Sequence, residues 1–276
     1  MHIMMNRCRL SAIVLGVILC VSVAAAGEFE LLPAKRIMPP FTANATEHRF
    51  SLSKVLEENR YIGSLGGVVP LAGLHTQNVV AQFSIAGTFY THLSSVEHQF
   101  IVTDGDYFVD ALLDVQPCSL LTIRTGMGHT SQHLMDDAFE VANLPHSINY
   151  VRDYLQLFVQ YKSAAAGGFF YAGGYYNYTF IINDHLDGTM IYEAGGEALN
   201  IPIAPLARVY IAADVKWRGE SAFGTSQNYK LGIKLAREDG GPVLRCAVNY
   251  QTGLEERGQF YTRRISHTVL GFYLDL

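Results

Sequence analysis

Charge is scarce in this chain. Charged residues make up 16% of 276, against roughly 25% in an average soluble domain. The formal net charge of -5 comes without a basic cluster, which excludes the electrostatic footprint of a nucleic-acid-binding protein. Cysteine is equally sparse: of 4, Cys8 and Cys20 lie near the N-terminus, leaving Cys118 and Cys246. Two such residues can form a disulfide in an exported protein but are no disulfide framework. Metal-ligand spacings are absent, and no cofactor is expected. Beyond the N-terminus no apolar run approaches the ~18 to 20 residues of a membrane helix. If the mature chain crosses a bilayer, it must do so with strands.

What the sequence does have is aromatic residues (16 Tyr and 15 Phe against 1 Trp) and 25 Gly. Its N-terminus reads as an export signal. Arg7 and Arg9 precede an uncharged run from Ser11 that ends in Ala24, Ala25 and Ala26, the order of a secretory signal peptide cleaved after Ala26. An uncleaved anchor is the alternative, disfavoured by the short run. Leu19 before Cys20 argues against a lipoprotein.

Residues 27–76 read as a periplasmic lead-in. Pro33, Pro39 and Pro40 interrupt regular structure, Glu47–Arg60 suits an edge strand or short helix, and a first strand is possible near Tyr61–Leu71. From residue 77 the text follows a period of two. Arg208, Tyr210, Asp214, Lys216 and Arg218 alternate with Val209, Ile211, Ala213, Val215 and Trp217. Asn228, Lys230 and Lys234 alternate with Tyr229, Leu231, Ile233 and Leu235. Successive strand side chains point to opposite faces, so each segment has one wet and one dry side. Turn signals separate the segments: Asp104-Gly105, Asp187-Gly188, Gly219-Glu220-Ser221 and Asp239-Gly240-Gly241.

A soluble sandwich or lipocalin-like barrel also alternates. Here, however, the dry faces end in Tyr107, Tyr161, Trp217, Tyr229 and Tyr250, as interfacial girdles do, while the wet faces carry both signs of charge. Backbone groups in lipid must pair internally, so such strands must close. The expectation is an all-β fold: a closed antiparallel transmembrane β-barrel over 77–276, with about 12 strands and 10 as the runner-up. It would sit in the bacterial outer membrane among lipids and lipopolysaccharide, delivered by the barrel-insertion machinery. The last strand alternates to the terminus through Phe272, Leu274 and Leu276, ending on Leu rather than the usual aromatic. Asp110, Asp114, Arg124, Arg208, Asp214, Lys216, Lys230, Lys234 and Arg245 are expected to line the lumen.

Four blocks resemble an uncharacterised bacterial outer-membrane family, domain of unknown function 1207: Pro33–Ser53 (PAKRIMPPFTANATEHRFSLS), His129–Asp137 (HTSQHLMDD), Ile148–Leu157 (INYVRDYLQL) and Glu256–Arg264 (ERGQFYTRR). Each is short, and their order carries the resemblance. It implies an outer-membrane barrel and supplies no activity.

One constellation bears chemistry. Period two places His129 and Ser131 on the lipid side of a strand, at the rim. This arrangement resembles that of lipid A 3-O-deacylases and outer-membrane phospholipases A, where histidine activates a serine against lipid esters. Such chemistry needs a third group to orient the imidazole; Asp137, Asp136 or Glu140 are the candidates. The bland alternative is ordinary interfacial histidine and a loop-starting serine. The charged lumen gives another choice, a solvated structural network or a pore. The sequence favours a non-enzymatic barrel, structural or a narrow channel with a charged lumen, over a lipid-ester hydrolase.

Overall fold

The computed structural model describes residues 27–96, 99–140, 147–182, 190–236 and 241–276; the expected signal peptide, 1–26, and the turns expected at Asp187-Gly188 and Asp239-Gly240 lie outside them. The strands are β1 (Glu28–Leu31), β2 (Phe50–Val55), β3 (Arg60–His75), β4 (Val80–Val96), β5 (Gln99–Cys118), β6 (Leu121–Leu134), β7 (Tyr150–Ser163), β8 (Gly168–Ile182), β9 (Met190–Pro202), β10 (Ala207–Arg218), β11 (Gly224–Leu235), β12 (Val243–Leu254) and β13 (Arg264–Asp275). A five-residue helix, α1 (Asp136–Glu140), follows β6. Strands β2 to β13 pair antiparallel with their neighbours in chain order, and β13 pairs back onto β2. Twelve strands thus close a barrel, as the alternation predicts. Closure leaves the wall with backbone partners all round, the condition for standing in hydrocarbon.

Its sidedness is inside-out relative to a soluble barrel. Ile211 and Ile233 are 41% and 43% exposed, whereas Lys216 and Lys230 are 5% and 4% exposed. Tyr107, Tyr161, Trp217, Tyr229 and Tyr250 all lie on the outside. Asp110, Asp114, Arg124, Asp214, Lys216, Lys230, Lys234 and Arg245 are buried within. Arg208, half-buried, shares the inward face of β10 with Tyr210 near the lumen mouth. One end of the barrel carries the turns 76–79, 119–120, 164–167 and 203–206; the other carries 56–59, α1, 219–223 and the longer connection 255–263. These are the turn end and the loop end below.

Two expectations are corrected. The barrel begins at Phe50, not at residue 77, because β2 and β3 are wall strands. Their alternation is muted in the text: after Arg60 the inward side of β3 presents Ser64, Gly66 and Val68, with no further charge. Asp104-Gly105 is no turn but the interior of β5, with Asp104 Oδ2 2.7 Å from His92 Nδ1. A Cβ at Gly105 would lie 1.9 Å from Met135 Cε, so the glycine serves close packing instead of reversal. Cys118 and Cys246, whose pairing the sequence leaves open, are both free and exposed.

The lead-in is no periplasmic appendage. β1 pairs with β3 from Leu31↔Ala72 to Glu28↔His75, while β2 pairs with it from Ser51↔Ser64 to Lys54↔Tyr61. Between these contacts the chain leaves the wall and fills the lumen. Phe41 stacks on Tyr171 at 3.8 Å and meets Phe158 at 5.1 Å. Thr42 Oγ1 donates to Glu197 (2.6 Å) and Asn44 Nδ2 to Glu193 (2.9 Å). Lys216 and Lys230 donate to Asn44 Oδ1 (2.8 Å) and to the Thr42 carbonyl (2.9 Å). His48 bridges Asp110 (2.5 Å) and Thr88 (2.9 Å). Arg49 caps the turn by donating to the carbonyls of Phe41, Thr42 and Asn44. The lumenal charges therefore serve as partners for an internal plug, since buried charges persist only when paired or hydrogen-bonded.

Candidate functional site

The outer wall is mainly apolar; near the loop end it also carries Lys54 beside Tyr61, Gln227 beside Tyr229 and Ser266 beside Tyr250, and a denser polar group lies on β6 and β7. There the register sets Tyr107 of β5 and Val151 of β7 on either side of Ser131, and Val109 and Asp153 on either side of His129. His129, Ser131 and His133 share one face by period two. His129 and His133 are exposed, Ser131 is half-buried, and the intervening Thr130 and Gln132 point into the barrel and are buried. The expected lipid-side placement of His129 and Ser131 is what the strand shows.

The pairing differs from expectation. Ser131 Oγ lies 2.7 Å from Nε2 of His133, not against His129. His129 Nδ1 lies 2.7 Å from Asp153 Oδ1. Asp137 is elsewhere: its Oδ2 accepts from the Val102 backbone N–H at 2.8 Å, tying α1 to β5. Asp136 is exposed on the same short helix, and the side chain of Glu140 lies outside the described residues. Sequence reasoning thus placed Ser131 and His129 on this face but not their hydrogen-bond partners. His133 was legible in principle, two residues beyond Ser131 on the same face. Asp153 was not, because only the β6–β7 register brings it beside His129.

Chemically, the site holds a hydroxyl hydrogen-bonded to one imidazole, beside a second imidazole oriented by a carboxylate. A carboxylate on Nδ1 leaves Nε2 of His129 as the basic nitrogen, the tautomer a general base requires. Tyr107 packs edge-on against His133 at 6.1 Å between ring centroids and against Phe89 at 4.9 Å, giving the polar groups an aromatic border.

On the far side of the same wall the lumen is closed at the loop end by residues 255–257. Glu256 Oε2 accepts from Lys216 (2.5 Å), and Arg263 donates to Glu255 Oε2 (3.1 Å). Burial opposes ionisation of Glu255, but His92, Arg263, Arg257 and Arg60 outweigh it and hold its carboxyl below the ordinary range. Lys216 does the same for Glu256 against an equally unfavourable burial. No grouping of three or more potential metal ligands occurs among the described residues.

No protein-family model matches this chain, and no curated protein matches it. Solved structures do. Outer membrane phospholipase A from Escherichia coli superposes with a TM-score of 0.50 at 13% identity, over 88% of this chain and 95% of that one. CdiB from Acinetobacter baumannii gives 0.37 at 11% identity, over 90% of this chain and 65% of that one. A porin mutant from Rh. blastica gives 0.31 at 8% identity, over 83% of this chain and 97% of that one. At these identities the likeness is one of fold: this chain has the closed antiparallel 12-strand barrel of outer-membrane proteins.

Proposed function

We propose that this protein is a sealed outer-membrane barrel that hydrolyses lipid acyl esters at its lipid-facing rim, with Ser131 as nucleophile. The observation that carries the reading is the Ser131–His133 hydrogen bond on the outer wall, flanked by the His129–Asp153 pair. Ionisable groups facing lipid are expensive and mark function by default. Two imidazoles, a hydroxyl and a carboxylate in two adjoining hydrogen-bonded pairs on the outer wall need a reason to be there. In the arrangement seen, His133 Nε2 takes the Ser131 proton as Oγ attacks the ester carbonyl. The same imidazole then returns the proton to the departing alcohol, and water releases the fatty acid from Ser131. The carboxylate of Asp153 orients the His129 imidazole beside the reacting centre. That one of the fold's likenesses is an outer membrane phospholipase A is consistent with such chemistry. The plugged lumen supports a function placed on the outside over conduction.

The full chain in detergent micelles is expected to release fatty acid from phospholipid or lipopolysaccharide, and Ser131→Ala to abolish that release. His133→Ala should cost ~10²–10⁴-fold if His133 is the base; a larger loss in His129→Ala would transfer that role to the pair with Asp153. Absence of turnover on both lipids ends the reading and leaves a closed structural barrel.

A further inference from the structure

The lumenal arginines of the wall show what this fold normally provides for a buried guanidinium. Arg124 grips Asp114 with two bonds of 2.7 and 2.8 Å. Arg245 reaches Asp275 (2.6 Å) and Glu197 (2.7 Å). Arg218 donates to Glu220 at 2.7 Å. Arg152, on the inward face of β7, has no such partner. It is 9% exposed, its Nε is buried without a hydrogen bond, and among the described residues no carboxylate lies within ion-pair distance. Its guanidinium instead lies over the rings of Tyr154 (5.4 Å) and Tyr150 (5.9 Å). Glu220 feels its charge but lies beyond ion-pair distance and is bound by Arg218.

Arg152 borders a lumenal cavity of about 60 Å³. A water needs roughly 10–15 Å³ of such space, so the cavity takes a few waters or one small oxyanion. Its other walls include Tyr154, Lys216 and Arg218 and three carboxylates, Glu47, Asp110 and Glu256, each of which already has a basic partner, Arg36, His48 and Lys216 respectively. An uncompensated buried charge costs several kcal/mol, and a guanidinium offers five donors in a planar fork that suits phosphate or carboxylate. We propose that this cavity is a small-oxyanion site with Arg152 as its principal ligand. The site backs onto the Ser131 rim, since Arg152 sits opposite Thr130 in the β6–β7 register, but it opens to the lumen and does not depend on the hydrolase reading.

Inorganic phosphate is the probe. For the full chain in detergent, phosphate should raise the thermal unfolding midpoint beyond what sodium chloride of equal ionic strength does, because a ligand that binds only the folded state stabilises it. Arg152→Gln should weaken the apparent phosphate affinity at least ~10-fold, with native folding checked by heat-modifiable gel mobility. Should that variant not fold, Arg152→Lys decides, because it keeps the charge and loses the fork: a weakened response supports the site, and an unchanged one overturns it. A phosphate response equal in wild type and Arg152→Gln, or none in the wild type, also overturns it; the latter would mean that Glu220 satisfies Arg152.

Discussion

Strand β6 has two sides that obey opposite rules. Inward, Arg124 is paired with Asp114, and Thr130 and Gln132 are buried. Outward, Ile123, Thr125 and Met127 face the hydrocarbon side until the rim, where His129, Ser131 and His133 bring ionisable groups onto that face. Polar groups inside are explained by one another and by the plug. Polar groups outside have no such explanation. The comparison teaches that polarity in this molecule signals structure in the lumen and function on the wall.

The comparison breaks most sharply if the plug is removed. Deleting residues 33–48 strips the lumenal charges of Thr42, Asn44 and His48 and should open a water-filled path. Planar-bilayer recording is expected to show a flat trace for the full chain and steady current for the deletion. Current through the full chain would show that the plug does not seal the lumen.

A smaller contrast compares one residue on each side. Asp114→Ala leaves Arg124 buried and unpaired, a loss of ~3–5 kcal/mol. Leu231→Ala, on the outer face at 57% exposure, should cost less than about 1 kcal/mol, because lipid fills the space and is as apolar as leucine. Urea-induced unfolding of the two variants from detergent measures both, and equal losses would erase the distinction between lumen and wall.

The smallest effect concerns the loop-end cap. Glu255 and Glu256 ionise more readily in the folded protein than in the unfolded chain. Such groups contribute stability that is present above the ordinary glutamate range and is lost as pH falls through their lowered folded values. Acid below that range should therefore make the 255–263 connection more susceptible to pepsin. Glu255→Gln should flatten this pH dependence; an unchanged slope would remove Glu255 from the cap.

Much of this was legible because strand periodicity is local. Lys216 beside Val215, or Lys230 beside Leu231, states which side is wet before any partner is known. The wall strands β2 and β3 were harder to read, since serine, glycine and valine fill most of their inner side and their two charges, Lys54 and Arg60, fall on opposite faces near the loop end. Ser131 and His129 could be read as sharing the outer rim, but not how they are bonded. His129 and His133 are equally spaced from the serine along the strand.

By itself the sequence determined that the chain forms strands, that they close, and which side faces lipid, because alternation and the need to satisfy every backbone group in hydrocarbon act residue by residue. Only the tertiary structure decided that residues 33–49 occupy the lumen, that Ser131 meets His133, and that Asp153 orients His129. These depend on register and on contacts between segments distant in the chain, such as Thr42 with Glu197, which no periodicity records.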